Sequence, residues 1–127
     1  MNNAEKQELI DRYLAAYNAF DIDGMVALLS PDVRFENYTG GELTASTTGV
    51  EAFRQLAEQS KVLFSEREQH ITKVTFREES VVAEIAYCGC LAVNIPDGPA
   101  AGTVLNLKGQ SEFAFQGGKI SQIIDRS

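Results

Sequence analysis

The chain has 127 residues, 44% of them hydrophobic, which fits one domain spanning 1–127, since domains usually fall at roughly 100–150 residues, with a core that needs no disulfide staples. Eighteen acidic residues against eleven basic ones leave a net charge of −7 with no basic cluster to offset it, which excludes nucleic acid and anionic membrane surfaces as partners. No apolar run approaches the roughly 20 residues that span a bilayer, and MNNAEKQELIDR lacks the basic start and apolar stretch of an export signal, so a cytoplasmic location is expected.

Leu9, Tyr13, Ala16 and Phe20 recur at helical spacing, flanked by Ile10, Leu14 and Tyr17. They form a broad apolar stripe and predict an amphipathic first helix. Residues 18–24 are rich in Asn, Asp and Gly and read as a turn, in which Asp21 or Asp23 can cap a short second helix carrying Met25, Leu28 and Leu29. Ser30-Pro31-Asp32 stops that helix, because proline restricts the residue before it. In the strand that follows, Val33, Phe35 and Asn37 share one face, and Arg34 and Glu36 the other. Residues 37–48 are polar, contain Gly40-Gly41 and read as a loop. Thr48-Gly49-Val50-Glu51 has the form of a capping box opening a third helix to about Phe64, with Val50, Phe53, Leu56 and Ala57 apolar.

From about Glu66 the pattern changes to β character. Strands are expected over 71–76 and 81–93, joined at 77–80, and NIPDGPAAG at 94–102 is a loop. A strand over 103–115 sets Leu105, Leu107, Gly109, Ser111, Phe113 and Phe115 on one face, and Gln116-Gly117-Gly118-Lys119 closes a hairpin into a last strand over 120–125. Cys88 and Cys90 lie two apart, where a bridge would be strained, and read as small buried hydrophobes in a reducing compartment. Helices first and a mostly antiparallel sheet afterwards predict an α+β fold with the helices on one curved sheet.

The stretch RYLAAYNAFDIDGMVALLSPDVRFEN at 12–37, together with the hairpin ending at 111–120, resembles ketosteroid isomerase and the wider nuclear transport factor two-like superfamily. The resemblance implies a cone-shaped, cystatin-like fold, three N-terminal helices on a curved sheet, a deep apolar pocket for a small apolar or aromatic molecule, and a homodimer. In ketosteroid isomerase an aspartate base shuttles a proton beside a ketone, while a tyrosine and a neutral aspartic acid hold the enolate oxygen. Tyr13 matches that tyrosine; Asn37 stands at the position of the base, and Ser111 at that of the second donor. An amide cannot take up a proton at neutral pH, so authentic ketosteroid isomerase chemistry is not expected. The resemblance also covers SnoaL-like polyketide cyclases, which use an acidic residue as acid and base, and limonene epoxide hydrolase, whose Arg-x-Asp motif is absent here.

The expected catalytic set is therefore Tyr13, Asn37 and Ser111 for orientation, with His70 or Asp125 for proton transfer; Tyr17, Phe35, Phe53, Leu107 and Phe113 are expected to line the ligand. One histidine and two cysteines do not complete a ligand cluster, and there is no nucleotide fingerprint, so neither metal nor cofactor is expected. Three functions fit these residues: an isomerase, cyclase or hydratase; a non-catalytic binder of an apolar or aromatic ligand; and a protein-assembly module.

Overall fold

The computed structural model describes residues 1–127. Helix α1 (Asn3–Asn18) starts at Asn2, whose side chain accepts from the Glu5 amide at 2.8 Å while the Glu5 carboxylate accepts from the Asn2 amide at 3.2 Å. This reciprocal pair satisfies two amides that the first helical turn would leave without partners. Of the two candidate caps for α2 (Ile22–Val26), Asp21 is the one used, accepting from the Gly24 amide at 2.9 Å. The expected capping box at Thr48 does not form. Thr48 belongs to a strand and pairs with Arg34, so α3 (Val50–Lys61) begins at Gly49 with no side-chain cap.

Six strands follow the order β2-β1-β6-β5-β4-β3: β1 (Leu29–Thr39), β2 (Glu42–Thr48), β3 (Phe64–Phe76), β4 (Val81–Leu91), β5 (Val104–Gln116) and β6 (Lys119–Arg126). All neighbours are antiparallel except β1 and β6. The α+β architecture expected from the chain order is the one observed, with the three helices on one sheet.

Four boundaries differ from the sequence reading. The second helix ends at Val26, so Leu28 lies in the turn beyond it, and Leu29 with Ser30-Pro31-Asp32 already belongs to β1. The polar segment after Asn37 is a hairpin rather than a loop: Gly40 and Gly41 both take positive φ (60° and 83°), the turn geometry that matches strand twist. The threonines of β2 then supply branched side chains suited to a pleated edge. The third helix ends at Lys61, and β3 starts at Phe64, well before the expected Ile71. The early part of β3 escapes a hydrophobic pattern because the residue it turns inward is charged: Arg67 is buried among polar neighbours in sequence. The cysteines also differ. On β4 the inward positions are Val81, Ala83, Ile85, Gly89 and Leu91, so Cys88 faces solvent, and Cys90 is half-buried and unbridged.

The core lies between the helices and the concave face, with Ile10, Val33, Val81, Phe113, Ile120 and Ile123 fully enclosed. Helix α1 lies against β3 and α3 against β1, leaving the two helices on either side of a cleft over the middle of the sheet. No helix is long and apolar enough to cross a membrane.

Candidate functional site

The cleft is a cavity of about 420 Å³, within the size range of small-molecule sites. Its walls are mainly apolar: Met25, Phe35, Phe53, Leu56, Ala57 and Ile85 contribute from four elements. Phe35 and Phe53 meet edge to face at 5.7 Å, which fixes α3 against β1 at the cavity wall.

Sheet register gathers the polar groups on one side. Asn37 on β1 pairs with Asp125 on β6, and Asp125 pairs with Ser111 on β5, so three adjacent strands present one lateral row into the cavity. Neighbouring strands lie about 4.8 Å apart, which puts all three side chains within reach of one small ligand. The Ser111 hydroxyl donates to Asp125 Oδ1 at 2.6 Å. Burial raises the Asp125 carboxyl from its ordinary 3.8 to about 6, and the Ser111 hydrogen bond opposes that rise in part.

Tyr13 stands on α1 above this row, its ring edge-on to Phe113 at 6.0 Å. Its hydroxyl makes no side-chain hydrogen bond, and burial, followed by the Asp125 charge, pushes its pKa well up. The phenol therefore stays protonated and available as a donor. Asn37 is turned partly toward β2: its amide Nδ2 donates to Thr44 Oγ1 at 2.8 Å, and its amide oxygen takes part in no hydrogen bond. In place of a carboxylate on β1, the acid stands one strand over at the same level.

Of the expected residues, Tyr13, Tyr17, Phe35, Asn37, Phe53, Leu107, Ser111 and Asp125 all line the cavity. Leu107 is half-exposed there. Phe113 does not line it; it is fully enclosed beneath Tyr13 and acts as that ring's support. His70 is likewise not part of the site. It faces solvent on β3, because the inward positions of that strand are Arg67, Gln69 and Ile71. Ser111 was expected as a free oxyanion donor, but its hydroxyl is engaged by the carboxylate.

The sequence reading passed over Gln69 and Tyr87, which line the far end of the cavity, and Arg67 behind them. Extending the period-two alternation of Ile71 back to Gln69 and Arg67 would have found the β3 residues. No three His, Cys, Asp or Glu side chains converge as a metal site requires.

A family model described as a SnoaL-like domain matches residues 10–123. Among solved structures, a protein provisionally described as a polyketide cyclase from Xanthomonas campestris pv. campestris is 23% identical, with a TM-score of 0.84 over 100% of this chain and 93% of that one. A protein of ketosteroid isomerase-like fold from Catenulispora acidiphila, crystallised in complex with trimethylamine, is 19% identical, with a TM-score of 0.77 over 93% of this chain and 83% of that one. TerC, co-crystallised with polyporic acid, is 17% identical, with a TM-score of 0.76 over 95% and 89% of the two chains. At these identities the likeness is one of fold.

Proposed function

The chain belongs to the SnoaL-like family, and within it we propose that this protein is an enzyme catalysing proton transfer on a small, largely apolar carbonyl compound, with Asp125 as base and acid. The observation that carries the reading is the Asp125 carboxyl itself, held in an apolar cavity beside Ser111 with a pKa raised to about 6. A general base works best when its pKa lies near the working pH, because it is then both ionised and basic enough to accept a proton. At pH 7 this carboxyl is mostly ionised.

In the proposed step the Asp125 carboxylate removes a proton from the carbon next to the carbonyl. The electron pair of that C–H bond moves into the new C=C bond, and charge builds on the carbonyl oxygen. Tyr13 donates a hydrogen bond to that oxygen. Where the substrate carries a C=C bond conjugated with the enolate, protonated Asp125 returns the proton to the far end of that dienolate as the double bonds shift, giving an isomer; alternatively the enolate carbon attacks a second carbonyl of the same molecule, whose oxygen takes the proton as the ring closes. Ser111 keeps the carboxylate oriented, and Asn37 offers its amide oxygen to a ligand hydroxyl. The residues fit an isomerase or cyclase without assigning Asn37 a proton.

The test is hydrogen–deuterium exchange at the α-carbon of enolisable cyclic ketones, beginning with 2-tetralone, followed by proton NMR in D2O. The wild-type protein should accelerate exchange, with a rate that rises through about pH 6 and then levels. Asp125→Asn should remove about 10²–10⁴-fold and Tyr13→Phe about 10²–10³-fold. Exchange no faster than in buffer across the ketone series would leave a ligand-binding module as the function, and acceleration undiminished in Asp125→Asn would remove Asp125 as the base.

A further inference from the structure

The end of the cavity away from Asp125 has a polar group of its own. Tyr17 from α1, Gln69 from β3 and Tyr87 from β4 all line it. Gln69 and Tyr87 are register partners, and Tyr87 pairs in turn with Leu107. Leu107 and Ser111 are four residues apart on β5, so this row lies roughly 13 Å along the strands from the Asp125 row. Between the rows, Ile85 and Gly109 offer no polar side-chain atoms, while Lys108 and Gln110 on either side of Gly109 also border the cavity.

This end is held rigidly. The Asn18 side chain makes a two-way clamp on the Gln69 backbone, donating to its carbonyl at 3.3 Å and accepting from its amide at 2.8 Å. Arg67 Nε donates to the Tyr17 carbonyl at 2.9 Å, tying the end of α1 to β3. The Tyr17 and Tyr87 hydroxyls are hydrogen-bonded to each other at 3.2 Å. Such a pair uses one of its two O–H groups internally and leaves the other free to donate. Burial, then the neighbouring Tyr17, raises the Tyr87 pKa and keeps the phenol protonated.

Behind the Tyr17 ring lies a buried cation. Arg67 is 6% exposed, with its guanidinium 3.7 Å from the Tyr17 ring centroid and 4.5 Å from that of Phe20. It enters none of the chain's salt bridges, and its Nη2 has no hydrogen-bond partner. A buried cation without an anion is unfavourable unless something electron-rich lies near it. Two aromatic faces supply part of that. The field also makes this end of the cavity attractive to an oxygen carrying partial negative charge, whereas the Asp125 end attracts donors.

We propose that Tyr17, Gln69 and Tyr87 form a second subsite that binds a carbonyl or enol oxygen at the far end of the substrate, with Arg67 as a positioning residue that acts through the Tyr17 ring. The inference rests on the cavity being a substrate site and deepens that reading. The substrate is then elongated and uncharged, with a donor or enolisable group at one end and a carbonyl oxygen at the other. A compact single ring engages one end only.

The experiment uses two probes of the same shape, 4-acetyl-4′-hydroxybiphenyl and its 4-isopropenyl analogue, in which C=CH2 replaces C=O. Their affinities for the full chain are measured by titration calorimetry. Wild type should bind the acetyl compound about 10-fold more tightly, the worth of one net hydrogen bond. Tyr87→Phe should reduce the preference, and the Tyr17→Phe/Tyr87→Phe pair should bring the two affinities together. Both tyrosine variants retain their rings, and a thermal midpoint near that of wild type verifies the fold. Equal wild-type affinities, a preference that survives in the double variant, or no binding of either probe would overturn the proposal. Failure of Asp125 as the base would appear separately, as ketone exchange insensitive to Asp125→Asn while the acetyl preference stands.

Discussion

Replacing Asp125 by Asn tests the electrostatics of the cavity independently of any substrate. The folded chain holds this carboxyl at about 6 against an ordinary 3.8, because burial disfavours the charged form. Between those two pH values the folded state retains a proton that the unfolded state has released. Stability therefore falls as pH rises, by about 1.4 kcal/mol per pH unit, and about 3 kcal/mol has gone by pH 7. Asp125 is partly exposed to the cavity, and solvent screening there reduces the expected figure to about 1–3 kcal/mol. Asn keeps the shape and an oxygen for Ser111 to donate to, but carries no charge. Urea unfolding of both proteins at pH 4, 5, 6 and 8 gives the comparison, with the other titrating groups common to both. The stability of Asp125→Asn minus that of wild type should increase by about 1–3 kcal/mol from pH 4 to pH 8, with most of the change below pH 7. A difference that stays constant across that range, or one that decreases with pH, would refute a raised carboxyl and remove the basis for assigning Asp125 as a base.

Two further outcomes follow from the same geometry. Ser111→Ala deletes the one hydrogen bond that lowers the Asp125 pKa, so the carboxyl should titrate above 6, seen as an alkaline displacement of its carbon-13 chemical-shift curve and of the ketone-exchange profile; an acid displacement would contradict the assignment. Gly109→Ala sets a Cβ 2.5 Å from the Arg126 carbonyl oxygen, which forces the end of β6 to move, so a loss of about 1–3 kcal/mol in urea unfolding is expected, together with weaker ketone exchange because Asp125 precedes Arg126. An unchanged midpoint in that variant would show that the strand end yields freely.

The sequence by itself determined the succession of elements apart from β2, which it read as a loop, because the stripe of Leu9, Tyr13 and Ala16, the Asp21 cap, the alternation of Val33, Phe35 and Asn37 and the Gly117-Gly118 turn are all local signals. It also supplied the wall residues Phe35 and Phe53 as candidates, and the polar residues Asn37 and Ser111 through the resemblance to ketosteroid isomerase, with Asp125 as one of two candidate bases. What it left open was which acid or base enters the cavity. His70 and Asp125 each lie on a strand, and side-chain type does not say which face is inward; tertiary packing turned Arg67 and Gln69 in and His70 out. Asp125 becomes a buried acid only because β6 lies parallel to β1 and antiparallel to β5, aligning residues from three distant segments. Arg67 was illegible for a related reason: a charged residue in a polar run signals solvent, and only the rings of Tyr17 and Phe20, brought over it by α1 and the turn that follows, make its burial possible.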